Sequence, residues 1–335
     1  MVASPGPAPR AGGGRVVAVA IGRNEGERLV RCIASLKAQP DLARVIYVDS
    51  GSTDGSAARA AGMGAEVVAL DLSRPFTAAR ARNAGAAAAA REGAPAFVQF
   101  VDGDCEVAPG WIAQGLAALD ADPRLGVVAG RRRERAPDAT LYNAACDAEW
   151  DTPVGPTRAV GGDMLVRWPA LAAAGFFRES LIAGEEPELC LRLARAGWGI
   201  ARLDAEMTRH DADMHRLWQW WRRSRRAGHA FAEVSWLHRA GPERIWQRET
   251  RRAVGWAALP VVAAGAGVVT PWAWLALAAL PAQVVRIARR DPRPHRRWGR
   301  AVLTVAGKLP EAVGVAEFHL RRLGGRGRAR LIEYK

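Results

Sequence analysis

Apolar residues along this chain fall into short, nearly unbroken runs in its first half, helical stripes between them, and one long uncharged block near the end. Val16–Ile21, Val45–Asp49 and Phe97–Val101 have strand length and are rich in β-branched and aromatic residues. Each leads into a cluster of Gly, Asn, Asp or Ser. A helical pattern ending at Lys37 follows the first strand, and an alanine-rich helix follows Phe76–Gly85. Strands alternating with helices predict an α/β fold, a mostly parallel sheet with helices on both faces. Further on, Glu185-Glu186-Pro187-Glu188 opens a helix that runs through Leu189–Ala196 to a cap at Gly197, and a strand is expected at Gly199–Leu203.

The second half carries two other patterns. In Met214–Trp236, residues Leu217, Trp220, Trp221, Ser224, Ala227, Phe231 and Val234 share one helical face, with arginines around the rest. That pattern predicts a basic amphipathic helix lying on anionic headgroups. Residues 253–285 then carry no charge at all. They exceed the roughly 20 residues of one straight crossing and fall short of two. Pro271 interrupts the block. Arg244, Arg248, Arg251 and Arg252 precede it, and Arg286, Arg289, Arg290, Arg293, Arg296 and Arg297 follow. Positive flanks on one side predict a membrane hairpin with both ends cytoplasmic. The alternative is a buried helical pair in a soluble protein. The expected organisation is a disordered leader (1–14), an α/β catalytic domain (15–215), basic interfacial helices (216–252), an apolar hairpin (253–287) and a basic tail (288–335).

Composition narrows the function. The chain has 335 residues and a net charge of +14, with lysine only at positions 37, 308 and 335. An arginine bias of this kind does not itself indicate nucleic acid, and no zinc-type Cys/His spacing, RRM signature or basic zipper accompanies it. No nucleic-acid partner is expected. Cys32, Cys105, Cys146 and Cys190 are scattered over different elements, which suggests reduced thiols facing the cytosol. The Pro-, Gly- and Ala-rich residues 1–14 lack an apolar core of signal-peptide length.

The candidate chemistry centres on Asp102-Gly103-Asp104, which closes the third strand. Two carboxylates one residue apart can hold a divalent cation, which in turn accepts oxygens from a diphosphate. An isolated Asp-x-Asp is often only a turn. Here other polar groups also follow successive strands, where open α/β sheets bind ligands. They are Asn24-Glu25, Asp49-Ser50-Gly51-Ser52-Thr53-Asp54-Gly55-Ser56, and Arg80 and Arg82 at the start of the third helix.

Taken with Ala81-Arg82-Asn83-Ala84-Gly85 and Gly184-Glu185-Glu186-Pro187-Glu188-Leu189-Cys190-Leu191-Arg192, these motifs resemble those of the family 2 glycosyltransferases, which have the GT-A fold. The resemblance covers roughly residues 15–215. It implies a nucleotide-sugar donor whose nucleoside meets Asn24, Glu25, Asp49 and Asp54, with Arg82 rather than Arg80 near the phosphates. It also implies Asp104 as the main ligand of Mg2+ or Mn2+. Asp102 would be its partner, bonding ribose or a metal-bound water, and His210 a third ligand. Glu186, beside Glu185, takes the place of the catalytic base; relatives usually carry Glu-Asp here, so its side chain is one methylene longer. Gly161-Gly162-Asp163 resembles the segment lining the donor sugar, with Asp163 bonding its hydroxyls. Gln219-Trp220-Trp221-Arg222-Arg223 half-matches the Gln-x-x-Arg-Trp of processive members but lacks the final tryptophan, which favours single-sugar addition.

The expectation is an inverting, metal-dependent glycosyltransferase on the cytoplasmic side of the cell inner membrane. Its acceptor would be a lipid-linked sugar, a polyprenyl phosphate or a glycan precursor. One alternative is a nucleotidyltransferase, although the glycine- and lysine-rich loop usual there is missing from Ile21–Arg28. The other is a non-catalytic membrane adaptor.

Overall fold

A computed structural model describes residues 15–324. The expected leader, 1–14, and the last part of the expected tail, 325–335, lie outside the described residues. Strands β1 (Val16–Gly22), β2 (Leu42–Asp49), β3 (Glu66–Ala69) and β4 (Phe97–Asp102) run parallel in the order β3-β2-β1-β4. Helices α1 (Glu27–Lys37), α2 (Ser56–Gly62) and α3 (Ala78–Ala89) lie between them in sequence. After β4 come β5 (Cys105–Val107), α4 (Trp111–Ala121), β6 (Leu125–Glu134), α5 (Leu141–Trp150) and β7 (Gly155–Pro156). They are followed by β8 (Met164–Arg167), α6 (Trp168–Ala173), α7 (Glu185–Arg195) and β9 (Gly199–His210). The sheet continues β4-β8-β6-β9-β5, with β8 antiparallel to both its neighbours and β7 paired to β9.

The continuous apolar runs are explained by cover on both faces. Val16, Ala18 and Ala20 point to one side, against Leu29, Ile33 and Leu36 of α1, in a cluster that also holds Trp111, Ile112 and Leu119 of α4. Val17, Val19 and Ile21 point to the other, in a cluster with Ala79, Ala81 and Ala86 of α3 and Leu189 and Leu193 of α7. Each fully buried large aliphatic side chain contributes about 1.5–3 kcal/mol. The expected strand Gly199–Leu203 runs on to His210, because β9 pairs along β6 as far as Glu134.

Beyond the sheet lie α8 (Leu217–Leu237), α9 (Gln247–Gly267), a 3-10 segment Pro271–Ala278, α10 (Ala279–Arg290), α11 (Arg297–Ala306) and α12 (Lys308–Leu323). Two expectations are corrected here. The helix expected to lie on headgroups packs on the protein instead along its Trp220 and Gly228 face: Trp220 is buried and stacks on Tyr142 at 6.3 Å, the Gly228 region packs against α12, and Leu217 and Trp218 stay exposed. A Cβ at Gly228 would run into the Glu311 carbonyl, and one at Gly314 into the Arg225 carbonyl, so the two helices meet backbone to backbone. Residues 288–335 were expected to form a basic tail, yet they include α11 and α12; Gly299 of α11 packs against Leu141 of α5.

The uncharged block does break next to Pro271, between α9 and the 3-10 segment. Val268 and Val269 are 87% and 88% exposed, and Trp272 is 78% exposed. Among the described residues, one stretch, Pro271–Arg290, is long and apolar enough to cross a membrane by length and composition, and little of it is buried.

Candidate active site

The carboxyl ends of β1, β2 and β4 open onto one cavity of about 790 Å3. The loops after β1 and β2 are joined across its rim. Thr53 N–H donates to Asn24 Oδ1 at 2.7 Å and Asn24 N–H to Ser52 Oγ at 2.9 Å. Asp54 accepts from Gly26 N–H at 3.0 Å and Ser56 N–H at 2.9 Å. Asp49 accepts from the N–H groups of Gly51 and Ser52 at 3.0 and 2.9 Å, and from the Tyr47 hydroxyl at 3.1 Å. Of the expected nucleoside residues, Asn24 and Glu25 line the cavity together with Ser50, and Glu25 pairs with Arg28 at 3.0 Å. Asp49 and Asp54 shape these loops through their hydrogen bonds and are not among the residues lining the cavity.

Asp102 ends β4, and the turn Gly103-Asp104 leads into β5. The antiparallel register of β5 on β9 sets Cys105 opposite His210. Asp104 Oδ2 therefore lies 3.2 Å from His210 Nε2, and both side chains are buried. Burial, reinforced by the Arg132 charge, holds the His210 imidazole below its ordinary pKa, which favours its neutral form. Nδ1 faces Glu134 Oε2 at 3.8 Å and has no hydrogen-bond partner. An imidazole beside a carboxylate, with its second nitrogen turned to another carboxylate, is a group that could hold a divalent metal ion. Cys105 Sγ is close to both, but burial pushes its thiol well above the ordinary value, so it stays protonated. Asp102 lies beside this pair with its oxygens on Arg82 Nη2 at 2.9 Å and Arg132 Nη2 at 3.1 Å. Burial alone would raise its carboxyl, yet the two guanidinia outweigh burial and hold it well below the carboxylate range.

Arg82 is the buried hub of the site. Its Nη1 is 2.9 Å from Glu185 Oε1 and 3.1 Å from Glu186 Oε1. A Cβ on Gly162 would collide with its Nη2, so this glycine makes room for the guanidinium rather than for a sugar ring. Arg82, expected near the phosphates, lines the cavity and bridges three carboxylates. Arg80 is also buried and donates to the Asp71, Arg74 and Pro75 carbonyls, which fixes the loop ahead of α3. Glu186 lines the cavity at the start of α7, and burial, with Glu185 beside it, pushes its carboxyl up to about 7. Glu188 is fully buried and pairs with Arg192, Arg178 and His238. Asp163, expected to bond sugar hydroxyls, lines the cavity and accepts from Asp102 N–H at 3.0 Å and Thr208 Oγ1 at 2.7 Å, tying β4 to β9.

Several residues at the site were not anticipated. Arg132 contacts Asp102 and sits 4.9 Å over the Trp150 ring, which meets the His210 ring edge-on at 4.7 Å. Period-2 alternation does aim Gly130, Arg132 and Glu134 of β6 to one side, and that signal could have found them. On the far wall, α8 contributes Arg223, Arg226, Ala227, Ala230 and Phe231, and Trp246 closes that end. Arg223 is held by two hydrogen bonds to Glu149, both at 2.8 Å.

Comparison with known proteins agrees with this geometry. Residues 19–173 match the model of the family described as Glycosyl transferase family 2. The chain is 30% identical over 201 residues to the pre-mycofactocin glycosyltransferase of Mycobacterium tuberculosis, covering 56% of this chain and 41% of that protein. It therefore spans about two fifths of the length of the curated relatives it matches. Its fold is similar to that of the mannosyltransferase PcManGT from Pyrobaculum calidifontis, solved with GDP-Man and Mn2+ (TM-score 0.63, 20% identity, 91% of this chain and 88% of that one). It is also similar to S. aureus TarS residues 1–349 (TM-score 0.53, 13% identity, 92% and 91%). The chain carries a glycosyl transferase family 2 domain, built on the GT-A fold.

Proposed function

We propose that this chain transfers a single sugar from a nucleoside diphosphate sugar to an acceptor hydroxyl, with inversion at the anomeric carbon. The observation that carries the proposal is one cavity in which the Asp104–His210 pair and Glu186 face a common space across Arg82. The acceptor O–H attacks the anomeric carbon from the side opposite the diphosphate. Glu186 takes the hydroxyl proton as the new C–O bond forms, and the bond to the β-phosphate oxygen breaks. A carboxyl raised to about 7 is half ionised near neutrality, as a general base at that pH requires. Arg82 holds Glu185 and Glu186 at the start of α7 and keeps the buried acid cluster partly neutralised. Asp104 and His210 would hold Mg2+ or Mn2+, with Asp102 alongside, and the cation would offset charge growing on the diphosphate.

The acceptor is proposed to be amphiphilic, a lipid-linked sugar, polyprenyl phosphate or glycan precursor at the cytoplasmic face of the inner membrane. The exposed apolar surface of residues 254–275 supports an anchor. The far wall of the cavity, with Trp246 at the start of α9, joins the reaction space to the helix that carries this surface.

The test uses full-length protein in mild detergent with UDP-, GDP- and dTDP-sugars and Mn2+. Release of nucleoside diphosphate from at least one donor is expected. An α-linked donor should give a β-linked product by proton NMR. Retained anomeric configuration would exclude the single-displacement role of Glu186, and no release from any donor would exclude the enzyme reading.

A further inference from the structure

At the foot of the apolar hairpin, Arg244, Gln247, Arg248, Arg251 and Arg252 line a second cavity of about 370 Å3. No acid lines it. Nearby arginines are paired: Arg195 with Glu243 at 2.7 Å, and Arg225 with Glu317 at 2.5 Å. Among the described residues, none of the four guanidinia around the cavity forms an ion pair. Arg252 reaches Glu311 only through its longer-range field, and Glu311 is already held by Lys308 at 2.6 Å. Four like charges around one hollow repel each other, and an anion seated there relieves that repulsion.

The position along α9 identifies the anion. Arg248, Arg251, Arg252, Gly255 and Val262 fall on one helical face at spacings of three, four and seven residues. Val261 and Val262 are 73% and 63% exposed. Ten residues of helix separate Arg252 from Val262, a rise of about 15 Å. With the valines in the hydrocarbon, the arginines stand at the level of the lipid phosphates. Guanidinium groups match phosphate oxygens with parallel donors. We infer that this arginine cavity binds the phosphate of an anionic phospholipid headgroup. The inference rests on the membrane reading above and adds selectivity for lipid charge. Trp246 caps the same helix and lines the main cavity, so a headgroup held by Arg248 and Arg251 fixes the mouth of the reaction space near the bilayer surface.

The experiment is flotation of full-length protein with liposomes of phosphatidylcholine alone or mixed with phosphatidylglycerol, at low and high salt. The parent should prefer the phosphatidylglycerol liposomes, less so at high salt. Arg248→Gln and Arg251→Gln should each cut that preference about fivefold, and the double variant correspondingly more. Arg91→Gln/Arg124→Gln, the same charge change at exposed sites far along the chain, should keep it. Inorganic phosphate should not displace the bound protein. Equal partition of the parent onto both liposomes would overturn the headgroup site and leave the membrane reading standing; no partition onto either would overturn both. Equal loss in the Arg91/Arg124 control, displacement by inorganic phosphate, or binding of an oligonucleotide in place of lipid preference would each overturn the assignment as well.

Discussion

Glu186 Oε1 lies 3.1 Å from Arg82 Nη1, the same nitrogen that meets Glu185 Oε1 at 2.9 Å. One buried cation thus serves two adjacent carboxylates, while its other terminal nitrogen holds Asp102. Sharing explains why the neighbours differ. Asp102 has two arginines and is strongly acidic, whereas burial and the Glu185 charge outweigh Arg82 at Glu186 and raise it to about 7.

Turnover follows from that value. A base must be ionised, so activity should rise about tenfold per pH unit below about 7 and level off above it. Glu186→Gln keeps the shape but accepts no proton, and should lower turnover by roughly 10²-fold or more with donor affinity little changed. A larger loss in Glu185→Gln than in Glu186→Gln would move the base one residue back.

The same group should weaken the fold at high pH. Between its ordinary 4.5 and about 7, folded Glu186 keeps a proton that the unfolded chain has released. Its contribution to stability is full below about pH 4.5 and is lost as pH rises through about 7. Glu186→Gln should therefore melt at about the parent temperature at pH 5 and about 2 °C or more above it at pH 8. Equal shifts at both values would show that the carboxyl is not raised.

Arg82→Met should destabilise the protein by about 3–5 kcal/mol, because it strands buried Asp102 and Glu185 without their cation. Denaturant unfolding reads this directly. If Arg82 served only the donor phosphates, the variant would unfold with the parent and lose donor affinity alone.

The sheet and the acid-bearing strand end were legible because local pattern sets both. Val16–Ile21 is apolar on both faces, Phe97–Val101 is apolar except at Gln99, and Asp102-Gly103-Asp104 follows the latter at once. The Asp104–His210 contact was legible only by resemblance, since it depends on the register of β5 on a strand about a hundred residues later. Partners of charged groups were harder. Arg82, Asp163 and Arg80 each carry a side chain that a ligand would accept, yet all three are buried against protein groups from distant elements. The α8–α12 contact was invisible for the opposite reason: it is made by Gly228 and Gly314, residues with no side chain to signal a face.

That contact predicts an asymmetry between glycines. Gly314→Ala should cost about 1–3 kcal/mol by forcing α8 and α12 apart. Gly62→Ala, which meets open space at the end of α2, should be neutral or stabilising by up to about 1 kcal/mol. Thermal melts of the two variants side by side check this, and an unchanged Gly314→Ala melt would argue against the close helix crossing.

The most direct measurement is the melting temperature of full-length parent and Asp104→Ala protein with UDP, GDP and dTDP, with and without Mn2+. Asp104 meets His210 at 3.2 Å inside the reaction cavity, so the parent should be stabilised by at least one nucleotide, and only when Mn2+ is present. Asp104→Ala should fold and lose that response. Equal nucleotide stabilisation of parent and variant, unaffected by EDTA, would contradict a metal-dependent donor site at this strand end.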